Sequence, residues 1–133
     1  MITSSLEDYL ELIYNKIEEN NEIKAIDIAN SLNISRPSVS EALTRLKDLE
    51  LIIYEGRKGI KITSKGKLEA KRIIKKHQIL SRFFFEVLGV NKSCADKNAC
   101  KIEHVIDKEL LNKCVEIKRI LITAINTAKE NNK

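Results

Sequence analysis

Structure breakers are scarce in this chain: one proline and four glycines in 133 residues. Almost every segment is therefore free to be helical, and the few breakers mark where it is not. Leu6, Leu10, Ile13, Tyr14 and Ile17 form one apolar stripe, which predicts a helix over 4–19 with a stop at Asn20-Asn21. A short helix follows over 25–32, with Ile28, Ala29 and Leu32 inward, and Asn33-Ile34 makes a turn. Ser35 is a good N-cap, and the sole proline, Pro37, suits the first turn of a helix, where its missing N–H is not needed. That helix runs to about Leu49 on Val39, Leu43 and Leu46. Residues 51–55 and 60–63 read as two short strands, joined by the tip Gly56-Arg57-Lys58-Gly59. A long helix over 64–88 ends at Gly89. Ser93, with Asp96 three residues on, predicts a capping box for the next helix, and Asp107 caps the last. Leu110, Leu111, Cys114, Ile117, Leu121 and Ala124 form its stripe, which serves equally for a core or for dimerisation. The polar tail from Lys129 is expected to fray. The fold class is mainly α with a small β-hairpin. The expected organisation is a winged helix-turn-helix over 1–64 and a helical domain over 65–133.

Composition narrows the class further. Hydrophobic residues make up 43% of the chain, enough for a core, and charged residues 32%. The net charge of +5 permits nucleic-acid binding without demonstrating it. No stretch approaches the roughly 18 apolar residues of a membrane span, and Glu7, Asp8 and Glu11 interrupt any signal-like run at the start. The three cysteines are an odd number. The expectation is a cytoplasmic protein with reduced thiols, whose cysteines serve as core, ligand or reactive groups.

Two short helices, a tight turn and a basic hairpin make a reader of duplex DNA. The second helix fits the major groove, and the hairpin tip places Arg57 and Lys58 against phosphate or in the minor groove. Ser35, Ser38, Ser40 and Thr44 bring hydroxyls to phosphates or base edges, and Arg36, Arg45 and Lys47 bring charge. Pro37 and Glu41 lie on the same candidate surface. The plainer alternative is a helical hairpin inside a core with a solvated turn.

A different chemistry gathers further along. On a helix, residues three and four apart share a face. Asp96, Cys100, Glu103 and His104 would then form one stripe of two carboxylates, a thiolate and an imidazole, all transition-metal donors. His77, the only other histidine, lies on the long helix, and Asp8 and Glu11 form an i, i+3 carboxylate pair on the first. Each residue alone has an ordinary structural role, so the constellation carries the reading. Cys114 reads as core, and Cys94 as structural or reactive. Nucleophilic catalysis by Cys100 with His104 as base is disfavoured. Both sit on one helical turn, and no glycine-rich turn nearby offers an oxyanion hole. Three readings stay open: a metal-dependent regulator, a winged-helix regulator answering another small molecule, and a small metallohydrolase.

The motifs taken in order resemble the diphtheria-toxin-repressor-like family of metal-dependent repressors, including its manganese-transport-regulator branch. The resemblance runs from about Ser4 to His104. It rests on the run Leu6 to Tyr14, Asp27-Ile28-Ala29 with Leu32, Ser35 to Ser40, Leu51 to Glu55 and Thr63-Ser64-Lys65-Gly66. His77, Phe84, Leu88-Gly89-Val90 and Ala99 to His104 complete it. The resemblance implies a homodimer that binds palindromic operators, with divalent metal held by Asp8, Cys100, Glu103 and His104, and His77 beside them. It places a second metal position at His77 with residues matching Ser81 and Asp96, where Ser81 departs from an expected carboxylate. Glu11 matches a ligand of the manganese-type members. The site is thus a hybrid, with manganese-type Asp8 and Glu11 beside iron-type Cys100. A thiolate favours Fe(II), Co(II), Ni(II) or Zn(II) over Mn(II), and Fe(II) is the expected ion. At 133 residues the chain is expected to be a short form, without the β-barrel that larger members carry. Metal bridging the two halves would set the spacing of the recognition helices across the dimer.

Overall fold

The computed structural model describes residues 2–19, 22–56 and 59–132. Asn20, Asn21, Arg57 and Lys58 lie outside the described residues, and so does the expected basic tip. Among the described residues six helices and two strands follow in the order α1 (Ser4–Glu18), α2 (Ala25–Leu32), α3 (Arg36–Asp48), β1 (Ile52–Tyr54), β2 (Ile60–Ile62), α4 (Ser64–Glu86), α5 (Lys92–Ile102) and α6 (Lys108–Asn131). Residues 1–73 and 74–133 form two compact units, and the boundary falls inside α4.

The first unit is a winged helix. Thr3 caps α1 by accepting from the Leu6 N–H, and Leu6, Tyr9, Leu10 and Ile13 are buried beneath it. Asp27 accepts from the Lys24 N–H at 2.9 Å and closes the start of α2. Asn33 ends α2 in the left-handed region, φ 52°, a conformation asparagine tolerates better than most residues. Ser35 then caps α3, accepting from the Ser38 N–H, with Pro37 in the first turn. Val39, Leu43 and Leu46 join Leu10, Ile13 and Ile28 in one core. Burying each such side chain is worth about 1.5–3 kcal/mol. The wing is antiparallel, with Ile52 opposite Ile62 and Tyr54 opposite Ile60. Ile52 and Ile60 turn into the core while Ile53 and Lys61 face out.

Thr63 joins the wing to α4. Its hydroxyl donates to the carbonyls of Glu50 (2.7 Å) and Leu51 (3.0 Å) and accepts from the Gly66 N–H (3.0 Å). A Cβ on Gly66 would stand 2.0 Å from the Leu51 carbonyl oxygen. Only glycine allows α4 to start this close to the wing. Ala70 and Ile73 of α4 complete the core of the first unit.

In the second unit Leu80 of α4, Ala99 of α5, Ile106 between α5 and α6, and Leu111 of α6 form a smaller core. Gly89, φ 72°, follows α4, which ends two residues before Leu88. The capping residue of α5 is Asn91, accepting from the Cys94 N–H at 2.8 Å, and not Ser93. Asp96 consequently plays no part in a capping box. Asp107 caps α6 as expected, accepting from Leu110. Helix α6 continues to Asn131, so the polar end stays helical. Among the described residues no helix is long and apolar enough to cross a membrane.

Candidate functional site

Unit two brings His77, Asp96, Cys100 and Glu103 together from α4 and α5. Helix α5 ends at Ile102, so Glu103 and His104 stand in the turn that follows rather than on one continuous helical stripe. Glu103 is the C-cap and keeps helical backbone angles, which preserves the stacking with Cys100 one turn before. Its carboxylate is 1% exposed. His77 Nδ1 lies 2.9 Å from Glu103 Oε2, and His104 Nε2 lies 3.5 Å from Glu103 Oε1. A buried carboxylate is costly unless paired, and here an imidazole faces each oxygen.

Donor atoms of His77, Cys100 and Glu103 all lie within 4.8 Å of one another. Nitrogen, sulfur and oxygen at that spacing fit a first-row transition metal, with imidazole and thiolate suiting Fe, Co, Ni or Zn. The other ring nitrogen of His77 is 3.8 Å from Asp96 Oδ1. Ser81, which cannot serve as a good ligand, donates its hydroxyl to that same Asp96 oxygen. At 3.8 Å Asp96 faces the ring without a direct hydrogen bond to it. Ser81 thus acts on Asp96.

The remaining candidate ligands belong to the first unit. Asp8 is exposed and Glu11 half-buried on α1. Glu7, which the sequence reading did not single out, is buried. Its signal was present: Glu7, Leu10 and Tyr14 are three and seven apart, hence on the inward face. Glu69 bonds the Arg72 guanidinium and, with help from the Glu7 charge, holds its pKa above the usual arginine value.

Helix α3 shows Arg36, Ser38, Ser40, Glu41, Thr44, Arg45 and Lys47 to solvent, along with Ser35 and Pro37 at its start. Several are already engaged. Thr44 Oγ1 donates to the Ser40 carbonyl at 2.9 Å, Ser35 Oγ donates to Ser38 Oγ at 2.9 Å, and Arg45 pairs with Glu41 at 3.1 Å. Such contacts exchange readily for a charged or polar partner, since exposed pairs are worth at most about 1 kcal/mol.

Among the described residues no cysteine is joined in a disulfide. Cys114 is half-buried rather than core, and burial pushes its thiol pKa up. Cys94 is half-buried and accepts from Asn98 Nδ2 at 3.5 Å. It lines an apolar cleft of about 220 Å³ with Phe84, Leu88, Val90 and Ile102.

Residues 1–60 match the family described as iron dependent repressor, N-terminal DNA binding domain. Residues 63–118 match its metal binding and dimerisation domain. An uncharacterized HTH-type transcriptional regulator of Methanocaldococcus jannaschii is 41% identical over 113 residues, covering 84% of this chain and 90% of that protein. The HTH-type transcriptional regulator MntR of Bacillus subtilis is 38% identical over 104 residues, covering 78% and 72%. Among solved structures, IdeR of T. acidophilum is 28% identical with a TM-score of 0.71, covering 83% of this chain and 52% of its own. The manganese regulator SloR is 25% identical with a TM-score of 0.74, covering 86% and 53%. The chain spans about half the length of these two structures.

Proposed function

This chain belongs to the iron-dependent repressor family, and on that premise we propose that it represses transcription in answer to Fe(II), with Asp8, Cys100, Glu103 and His104 as the ligands that couple metal to DNA. It is a metal-dependent, DNA-binding transcriptional repressor with a dimerisation domain, and no enzyme. The observation that carries the finer reading is Glu103. A carboxylate buried between two imidazoles, with a thiol one turn away, is a poor way to build a core and a good way to hold a cation.

In this reading Asp8, Glu103 and Cys100 would hold a divalent ion, whose positive charge would offset their carboxylates and thiolate. Glu103 holds its oxygens toward His77 and His104. His77 and Asp96 join the ligand set, and Ser81 holds the Asp96 carboxylate. Cys100 gives the site its soft donor and so its preference for Fe(II), Co(II), Ni(II) or Zn(II). Asp8 belongs to the DNA-binding half and Glu11 stands beside it on α1. A ligand set drawn from both halves restricts the angle between them, and so the spacing of the two α3 helices of a homodimer on a palindromic operator. On each operator half-site Arg36, Ser38, Ser40, Arg45 and Lys47 contact bases and phosphates, and on the sequence alone Arg57 and Lys58 would add positive charge. A differential affinity of a few kcal/mol between the two spacings is enough for such a switch. Three cysteines outside any disulfide suit a reducing, cytoplasmic compartment.

The names of MntR and of the manganese regulator SloR support a second reading, a Mn(II)-responsive regulator of metal uptake. One experiment separates the readings. Binding to a pool of DNA duplexes is measured anaerobically with chelator, then with Fe(II), Mn(II), Co(II) and Zn(II). Fe(II) or Co(II) acting well below the Mn(II) concentration supports the thiolate-selected site, and the reverse order supports manganese. Equal binding with chelator and every metal sinks the coupling. Asp8→Ala is expected to stay a folded dimer that no longer tightens on DNA with metal. Full metal response in that variant would remove Asp8 from the ligand set.

A further inference from the structure

Helix α4 has a face that the metal reading does not use. Lys75, Gln78, Ile79 and Arg82 recur at intervals of three and four, so they share it. Opposite them stand Cys114, Val115 and Lys118 of α6, and a cleft of about 240 Å³ lies between the two helices. His77 points elsewhere, with Nδ1 on Glu103.

The cleft is cationic over an apolar floor. Lys118 is drawn into its wall, with a side chain only 23% exposed, and pairs with Glu86 of α4 at 2.7 Å. Glu86 is one turn beyond Arg82 on the same helix, yet it bonds across to α6. Among the described residues neither Lys75 nor Arg82 pairs with a carboxylate. Three cations thus face one carboxylate, which leaves two positive charges unbalanced. A solvated helix face relieves such repulsion by interleaving Glu and Asp at helical spacing, and no acidic residue lies between Lys75 and Arg82. Ile79 and Cys114 at the floor are half-buried. Burial pushes the Cys114 thiol pKa up, the mark of a floor poor in water.

We propose that the cleft between α4 and α6 binds a small phosphate monoester, with the phosphate on Lys75, Arg82 and Lys118 and the carbon body over Ile79 and Val115. A phosphate monoester carries a charge of about −2 at neutral pH, which matches the unbalanced excess. The Arg82 guanidinium offers a planar fork to two phosphate oxygens, and the lysines add point charges. Gln78 brings an amide donor to the same rim. Sites for drug-sized ligands run to about 300–1,000 Å³, so this smaller cleft takes a body near the size of one ring. Duplex DNA fits less well. Its phosphodiesters carry one charge each along the outside of a rod, whereas these cations surround a recess. None of the proposed metal ligands takes part, so the proposal does not depend on the metal reading.

The test titrates phenyl phosphate into the full chain by calorimetry, with phenyl sulfate as a monoanion of the same shape. Phenyl phosphate is expected to bind saturably and phenyl sulfate much more weakly. Cys114 supplies a second readout. Its alkylation by iodoacetamide, followed by peptide mass spectrometry, should slow in proportion to the sites filled, while Cys94 keeps its rate. Arg82→Met keeps the apolar stem and removes the charge. It should weaken phenyl phosphate about 10–100-fold, the loss of a hydrogen bond to a charged group, with helical circular dichroism intact. If that variant loses its fold, Lys75→Met at an exposed position takes its place. Absence of both binding heat and Cys114 protection overturns the proposal. Equal affinity for the two probes, or undiminished binding in the variant, does so as well. Weaker DNA binding by Arg82→Met, with no phenyl phosphate bound by the wild type, would give the cleft to the duplex and overturn it too.

Discussion

Gly66→Ala sets two physical effects against each other. Alanine is the better helix former by about 1 kcal/mol, and Gly66 lies in the first turn of α4, so propensity alone calls for a more stable protein. The new Cβ, however, would meet the Leu51 carbonyl oxygen at 2.0 Å and Ile62 Cγ1 at 2.8 Å. An ordinary contact begins at 3.4 Å, so the Leu51 carbonyl and α4 must separate by about 1.4 Å, the difference of the two distances. That oxygen accepts from both the N–H (3.1 Å) and the hydroxyl (3.0 Å) of Thr63. Loss of two hydrogen bonds costs about 1 kcal/mol each, and forced repacking about 1–3 kcal/mol more. Against the helix gain of about 1 kcal/mol, the net is about 2–4 kcal/mol of destabilisation. Urea unfolding followed by circular dichroism measures it as a lower midpoint at unchanged slope. A Gly66→Ala variant as stable as the wild type, or more so, would refute the close approach of α4 to the wing. The test also gives a physical cause for the run Thr63-Ser64-Lys65-Gly66: its threonine ties down the wing and its glycine leaves room for the tie.

Three further outcomes follow from the second unit. Cys100→Glu replaces the soft donor with a hard one, and the ratio of Co(II) to Mn(II) affinity should fall at least tenfold in a competition titration; an unchanged ratio would show that the thiolate does not select the ion. Ser81→Ala removes the hydroxyl that holds Asp96, and metal affinity should drop about 10–100-fold with the apo fold intact, whereas wild-type affinity by calorimetry would make the Ser81–Asp96 bond incidental. For Cys114 the sign is set by burial, which disfavours the thiolate and pushes the pKa up. Its labelling by iodoacetamide at pH 8 should be slower than that of an unfolded control and keep rising with pH beyond the control's plateau; equal rates and equal profiles would contradict the desolvation.

The helices and the wing were legible because each rests on short-range patterns. The stripe from Leu6 to Ile17, the cap at Ser35 with Pro37 behind it, and paired glycines between two β-branched runs all say where the backbone goes. The ends of α5 were not. Asn91 and Ser93 are both good caps, and the choice fell to Asn91 in the short linker that follows the left-handed Gly89. Nothing between Ala99 and Val105 breaks a helix by itself, yet α5 ends at Ile102. Only residues 103–106 separate that end from the Asp107 cap of the next helix, so the chain must turn in between. Cys100 and Glu103 could be grouped from spacing, because the turn keeps helical angles. The bond from Ser81 to Asp96 could not, since the partners stand fifteen residues apart on different helices. Nor could the stripe on α6 be assigned. A helical period tells which residues share a face, and only the folded chain tells that most of that face is left uncovered.

The 2.9 Å approach of His77 Nδ1 to Glu103 Oε2 has a thermochemical consequence. At that distance one hydrogen lies between nitrogen and oxygen, whichever atom owns it. A cation held by both atoms would have to displace it, so loading the proposed site would release a proton. The heat of loading then includes the heat of protonating the buffer. Titrations in buffers of differing ionisation enthalpy should diverge in slope by the number of hydrogens released, which counts them directly.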